Sequence, residues 1–485
     1  MQCFNQRILV NYIYSLYTLD YGMADKIKSE KLRKILDSVL LDIKPSMQEE
    51  KDLNARISSF VAKIQKQFSN NDAKVFLGGS GAKGTWLKNS YDADIFVMFN
   101  YKKFADKSMG LSDILEKRLK AAFKGKKISR IHGSRDYFQA IEKVSKLVIG
   151  NKSVNGKSVN NNPNADFTFE IVPILDIKQA KEAKNITDVS PLHASWVKKN
   201  SNEKLRDDIR LAKQFCKSTA VYGAESYING FSGYILEILV IYHKGFTNLL
   251  NAASKWPLEI NQDSDKVIID LKKYYKNKTE VLFNVNKAKT HSPLIVIDPV
   301  QKDRNAAAAL SDEQYRNFIL AAKKFLAAPS KDFFEVKEIT LDALKKQETA
   351  NKRLYALEAS SLAGKRDVVG AKLMKAFEHI KTKLADNHFN LHHTCWSWDK
   401  KKTALFWFFI DGKKLDPVII QSGPPVALKK HAAEFKKKYK KTFVKDNRLY
   451  AKAKRKYVDA GVLLKDAVND LYVKERVKGI RVVYG

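Results

Sequence analysis

The most constraining feature of the chain is a glycine-rich turn followed closely by two aspartates, Gly78-Gly-Ser-Gly-Ala-Lys-Gly-Thr85 and then Asp92-Ala-Asp94. Val75 to Leu77 before the turn and Ile95 to Phe99 after it are short apolar runs that read as strands, and the stretch between them suits a turn and a brief helix. Side chains two apart on a strand share a face, so Asp92 and Asp94 project together while Ala93, Ile95 and Val97 face the other way. Two adjacent carboxylates repel each other. A divalent cation such as Mg²⁺, which prefers oxygen ligands and phosphate oxygens, resolves that repulsion. Backbone N–H groups at Gly79 and the Ser80 hydroxyl could meet a phosphate, with Lys83 adding positive charge. Against this stand plainer readings: a solvated aspartate pair, and a simple turn with a solvated lysine. The GxxxxGK[ST] pattern of a P-loop is absent.

The charge of the chain points to a polyanion. Its 485 residues carry 88 Lys+Arg against 53 Asp+Glu, a formal +35, while 44% are hydrophobic, enough for packed cores and for several domains. No run approaches 18 apolar residues, and the longest candidate, Tyr234 to His243, is broken by Glu237; a membrane-spanning chain is excluded and no membrane partner is expected. Three scattered cysteines (Cys3, Cys216, Cys395) make neither a disulfide framework nor a CxxC zinc pair, which favours a reducing, cytoplasmic setting. Met1 to Gly22 read as a dispensable leader, with Met23 as the natural initiator.

Along the chain, residues 26–68 show helical spacing on both sides of Pro45. A polar insertion with Lys-Ser-Val-Asn occurring twice covers 152–160, and a strand resumes over Asp166 to Leu175. Leu205, Ile209, Ala212 and Phe215 predict a helix, Tyr234 to Tyr242 another, and a third begins after Ser311. Two aromatic runs between Phe389 and Ile410 flank Asp399-Lys-Lys-Lys402 and read as a hairpin. His388, His392, His393 and Cys395 lie close enough to suggest zinc, but alternation along a half-buried strand explains them as well. The last hundred residues are basic and helical in pattern. Lys429 to Lys456 alone hold 13 Lys+Arg and 2 Asp+Glu, a net +11.

These motifs resemble the nucleotidyltransferase superfamily with a polymerase-β-type palm, and more narrowly the archaeal, class I CCA-adding tRNA nucleotidyltransferases. The resemblance rests on the Gly-Ser turn, on Asp92 and Asp94, and on Phe167-Thr-Phe-Glu-Ile-Val-Pro173, where Glu170 takes the place of the family's usual third aspartate. It extends through Ser190-Pro-Leu-His193, Arg210-Leu-Ala-Lys213, Tyr222-Gly-Ala-Glu225, Gly233-Tyr234…Glu237, Asp298-Pro-Val…Arg304-Asn and Gly423-Pro-Pro425. Singly, Lys213 reads as a solvated helix lysine, Tyr222 as a helix-end aromatic, Arg304 as a surface charge and His193 as a structural residue; shared order and spacing shift the weight.

The resemblance implies an α+β, multidomain chain: a palm with a mixed sheet over 23–180, a helical neck over 181–310, a body over 311–385, and a basic body and tail region over 386–485. It implies template-independent addition of C, C and A to tRNA from CTP and ATP at a two-metal Mg²⁺ site held by Asp92, Asp94 and Glu170. Gly79, Ser80, Lys83, Ser190, His193, Lys213, Tyr222 and Arg304 would bind nucleotide, with Arg304 also helping the RNA backbone read the base. Lys436, Lys437, Lys440, Arg448 and Arg455 would grip the acceptor stem and TψC arm of tRNA. A homodimer is implied as well. The alternatives are an oligoadenylate synthetase-like or poly(A) polymerase-like enzyme, or a non-catalytic RNA-binding protein on a degenerate palm.

Overall fold

The computed structural model describes residues 30–88, 90–143 and 166–485, so the expected leader and the 152–160 repeat lie outside the described residues. The chain divides into two compact units, Met1–Lys337 and Glu338–Gly485.

In the first unit, β1 (Ala73–Leu77), β2 (Asp92–Phe99), β3 (Ile128–Ile131), β4 (Tyr137–Lys143) and β5 (Asp166–Leu175) form one sheet in the order β1-β2-β5-β4-β3. Only β2 and β5 run parallel; the other pairs are antiparallel. Pro45 separates a helix over 30–43 from α1 (Met47–Gln65), which starts on a reciprocal Ser46–Glu49 capping box. Between β1 and β2 lies the expected brief helix, α2 (Gly79–Lys83). Ile57, Phe60 and Ile64 of α1 and Leu111, Leu115 and Leu119 of α3 (Leu111–Ala122) pack on Ala93, Ile95, Val97 and Phe169. The Phe60 and Phe169 rings stack at 3.8 Å. One face of the sheet is thus covered by helices, which leaves the even-numbered residues of β2 and β5 on the other.

The helices α4 (Ser190–Asn200), α5 (Glu203–Ser218), α6 (Gly233–His243) and α7 (Phe246–Ala253) follow. Next come the three-stranded sheet β6 (Val267–Ile269), β7 (Leu294–Asp298) and β8 (Gln301–Asn305), and α8 (Lys278–Asn284) between β6 and β7. The helix α9 (Asp312–Ala327), capped by Ser311, places Tyr315, Phe318 and Phe325 in one core with Phe215, Phe231 and Phe246. The first unit runs on to Lys337, and the apolar face of α9 is used up within its helical core.

In the second unit, β9 (Lys352–Ser360), β10 (Leu391–Trp398), β11 (Thr403–Asp411) and β15 (Gly479–Tyr484) form a sheet in the order β10-β11-β9-β15, packed against α10 (Arg366–Asp386) and α12 (Ala460–Ala467). The β10–β11 hairpin forms around Asp399, which accepts the backbone N–H groups of Lys401 and Lys402 at 2.7 and 2.8 Å. A register shift between Leu391 and His393 breaks the simple alternation expected there: Leu391, Trp396 and Trp398 pack against one core, whereas Cys395 packs against the one that holds Trp407.

The helical reading of the C-terminal region needs correcting. Around α11 (Lys429–Lys438), the strands β12 (Val418–Pro425), β13 (Thr442–Lys445) and β14 (Arg448–Lys454) make a second sheet, ordered β12-β14-β13. Leu449 and Ala451 point inward while Arg448 and Lys452 point out, and Asp446 and Asn447 turn the hairpin with φ of 49° and 56°. A tight two-residue turn of this kind needs left-handed residues, which Asp and Asn tolerate.

Candidate active site

The parallel register of β2 and β5 sets Asp94 directly beside Glu170 and Asp92 beside Thr168. Asp92 is exposed at the start of its strand; Asp94 and Glu170 are half-buried. Burial, then the Glu170 and Asp92 carboxylates, push the Asp94 carboxyl up to about 7, against the pull of Lys83. Gln139, opposite Glu170 on β4, donates a 2.8 Å hydrogen bond to it. Gly79, at φ +53°, lies against the same carboxylate: a Cβ there would come within 1.7 Å of Asp94 Oδ2. The turn and the acids are therefore one site, and no L side chain could replace Gly79 without displacing Asp94. Among the described residues no three Asp, Glu, His or Cys groups close around a single point; the three carboxylates stand as neighbours in electrostatic contact.

A second cluster stands over α2. Lys83, at the end of that helix, donates to one oxygen of Glu237 at 2.7 Å, and Lys213 of α5 donates to the other at 2.8 Å. The Thr85 hydroxyl also donates to Glu237, at 2.8 Å, and Lys213 lies 2.9 Å from that hydroxyl. Arg210, one turn before Lys213, binds the Gly84 and Trp86 carbonyls and fixes the loop. Tyr222 closes the cluster: a Cβ on Gly233 would lie 3.0 Å from its hydroxyl and 3.5 Å from Lys213 Cε. Burial raises the Tyr222 hydroxyl well above its ordinary range, and Glu237 and Asp92 add to it, so the tyrosine is within electrostatic reach of both clusters.

A third cluster is built on Asp298 at the end of β7. Its carboxylate takes His193 Nε2 at 2.9 Å, Arg304 Nη1 at 2.8 Å, the Tyr234 hydroxyl at 3.0 Å and the Val300 N–H at 3.0 Å. The His193 and Tyr234 rings stack at 4.1 Å, and the Lys83 ammonium lies 5.9 Å from the Tyr234 ring centre. Tyr234 thereby joins the second cluster to the third. Ser190 opens α4, one helical turn before His193.

Of the residues expected from the sequence, Lys83, Lys213 and Tyr222 meet around Glu237, and His193 and Arg304 meet at 3.3 Å over Asp298. The buried acids that gather them, Glu237 and Asp298, were missed as site residues, along with Thr85 and Tyr234. Glu237 had a signal: a carboxylate inside an apolar helix has to find cations or carry a large desolvation cost. In the second unit, Lys436, Lys437 and Lys440 are exposed on and after α11. Arg448 is exposed and donates to the Gly423 carbonyl at 2.7 Å, and Arg455 is half-buried.

A palm sheet with paired carboxylates under a lysine cluster defines a nucleotidyltransferase, and residues 57–156 match the family model of the nucleotidyltransferase domain. Residues 207–335 match that of the tRNA nucleotidyltransferase second domain, and 354–476 that of the CCA-adding enzyme C-terminal domain. The CCA-adding enzyme of Methanocaldococcus jannaschii is 31% identical over 444 residues, covering 90% of this chain and 91% of that one. The CCA-adding enzyme of Nanoarchaeum equitans is 35% identical over 378 residues, or 78% of this chain and 82% of the relative. The chain belongs to the CCA-adding enzyme family.

Proposed function

We propose that this protein completes the 3′ end of tRNA by adding C, C and A from CTP and ATP without a nucleic-acid template, releasing pyrophosphate at each step. The observation that carries the chemistry is the register of Asp94 beside Glu170, with Asp92 two residues away and the Lys83–Glu237–Lys213 cluster facing the same turn.

The donor set suits a hard cation, since Asp92, Asp94 and Glu170 share one face of the sheet and burial, then the other two carboxylates, disfavour the Asp94 charge. Asp92, Asp94 and Glu170 would hold Mg²⁺, which when bound supplies charge neutralisation on the reacting phosphate and a lower pKa for the RNA 3′-hydroxyl. The protein's own groups do the positioning. Lys83 and Lys213 share one carboxylate between two ammonium groups, which leaves positive charge for the triphosphate. The Tyr222 hydroxyl, the Gly79 N–H and the Ser80 hydroxyl add donors around it. Arg304, about a third exposed and held by Asp298, presents its remaining N–H groups to the incoming base beside His193, with Ser190 near the nucleotide.

The basic stretch Lys429–Lys456 of the second unit would grip the acceptor stem and TψC arm through Lys436, Lys437, Lys440, Arg448 and Arg455, Lys436, Lys437 and Lys440 being its most available charges. Point charges on phosphates read no sequence, which suits an enzyme accepting every tRNA. We place the enzyme in the cytoplasm as a homodimer, the latter checked by light scattering of the purified protein.

The test is tRNA lacking its CCA end, offered CTP and ATP with Mg²⁺. Addition that stops after C, C and A is the expected result. Long A tails or 2′-5′ oligomers would overturn it.

A further inference from the structure

A lysine-rich segment of the first unit lies outside every role assigned above. Residues 271–289 carry Lys272, Lys273, Lys276, Lys278, Lys287 and Lys289 against one acid, Glu280. All six lysines are exposed, and among the described residues none pairs with a carboxylate. The Glu280 carboxylate accepts the Lys276 backbone N–H at 2.6 Å. Lys278 reaches the Ser264 and Lys266 carbonyls. Two acids act on the tyrosines of the segment: Asp270, which accepts the Tyr275 backbone N–H at 2.9 Å, and Asp303, which acts on Tyr275 electrostatically.

Phe283 is the most unexpected member. It is 84% exposed on α8, while Val281 and Val285 of the same segment bury themselves against Ile295 and Ile297 of β7. Val281 marks the inner face of α8, and Phe283, two residues further on, falls on the opposite side; Val285 buries itself from the extended residue that ends the helix. A phenylalanine left in water forgoes the gain of burying its ring, and here that ring stands amid unpaired lysines. Tyr274, 41% exposed, accompanies it.

The segment is fastened to the active site. The Tyr274 hydroxyl donates to the Pro299 carbonyl at 2.6 Å and the Tyr275 hydroxyl to the Lys302 carbonyl at 2.8 Å. Both acceptors lie between Asp298 and Arg304, on the turn and strand that set the guanidinium in place. Asp298 also acts on Tyr274 electrostatically.

We propose that residues 272–289 form a landing surface for the single-stranded 3′ segment of the RNA, its phosphates held by the lysines and a base stacked on Phe283. Cationic side chains interleaved with exposed rings are how proteins hold unpaired nucleotides without reading their sequence. A lipid surface would need a broad apolar face, and two isolated rings do not make one. The inference rests on RNA being the substrate, and it adds to the basic surface of the second unit a platform in the unit that carries the carboxylates.

The experiment uses the full chain and reads binding directly, by fluorescence anisotropy of labelled tRNA ending before its CCA, alongside CTP incorporation. Lys272→Ala/Lys273→Ala/Lys276→Ala should weaken RNA binding at least fivefold and lower the log–log salt slope by about 2, at roughly 0.7 per single-strand contact. Phe283→Ala should weaken tRNA with an unpaired 3′ nucleotide about fivefold or more and leave a blunt-ended RNA unchanged. The KM for CTP should stay within twofold in both, and so should the unfolding temperature within a degree or so, because the substituted side chains are exposed. Unchanged RNA binding in both variants, with the wild type adding C, C and A, would overturn this inference alone. Weakened RNA binding with a wild type that adds no nucleotide would overturn the proposed reaction alone. Equal loss of blunt and tailed RNA in Phe283→Ala would overturn the stacking.

Discussion

Lys213 and Glu237 form an ion pair at 2.8 Å with both side chains sealed from solvent, and Lys83 shares the same carboxylate from the other side. Burial works against the Glu237 charge, but the two ammonium groups outweigh it and hold the carboxyl down at about 2. Burial and the proximity of Lys83 draw Lys213 down to about 8, although Glu237 opposes this. One carboxylate facing two lysines ties the Gly79–Thr85 turn to the helices α5 and α6 and leaves the cluster with one positive charge in excess.

Glu237→Gln keeps the shape and removes the counter-charge. Breaking a buried pair from one side costs about 3–5 kcal/mol, so a clear drop in urea midpoint is expected. The pH dependence has a definite sign. The folded pKa of Glu237 lies below its ordinary 4.5, so its contribution is present above 4.5 and is lost as pH falls towards 2. Urea titrations across that window should show a smaller acid loss in the variant than in the wild type.

Lys213 should make nucleotide binding fade in mild base. Its ammonium is charged below about 8 and neutral above, so the KM for CTP should rise as pH passes 8 while tRNA binding changes little. Lys213→Arg, which keeps its charge, should flatten that rise. A KM that stays flat to pH 9.5 in the wild type would count against the assignment.

The Asp94 charge is disfavoured by burial and by its two carboxylate neighbours. Asp94→Asn removes its repulsion with Glu170 and Asp92 and should raise the unfolding temperature by a few degrees in chelator-containing buffer. The same variant should lose nucleotide addition, as should Asp92→Ala, with tRNA binding within twofold of wild type. Retained CMP incorporation by either would refute the metal site.

Asp298 orients Arg304 and His193 without needing to touch the nucleotide. Its carboxylate stays ionised despite burial, because His193, the Val300 N–H and Arg304 all favour the charge. Asp298→Asn should loosen Arg304 and relax nucleotide choice, lowering the CTP-over-UTP ratio of kcat/KM by about tenfold. That is the worth of one charge-assisted hydrogen bond of roughly 1.5 kcal/mol. An unchanged ratio would leave Asp298 a packing residue.

Much of this site could be read before the fold, and the rest could not, for identifiable reasons. Asp92 and Asp94 share a face because a strand has period two, and the tight turn at Gly79 is written in its glycines; both are local rules. The partners of Lys83 and Lys213 obey no local rule. Glu237 lies 154 residues from Lys83, and Asp298 lies 105 from His193. In the C-terminal region, runs of lysine obscured the in-out alternation of β14, and only the Asp446-Asn447 turn marked the hairpin.

The sequence by itself determined the class of chemistry: the strand–turn–strand element carries its carboxylates wherever it folds, because spacing along one strand sets their direction. It also determined the excess of positive charge and hence the kind of partner. Tertiary structure alone decided which buried acid neutralises which base, and that Arg304 and His193 converge on Asp298. Packing chooses those pairings, since a charge removed from water takes whichever counter-charge the helices and strands bring within about 3 Å, however far apart the two lie along the chain.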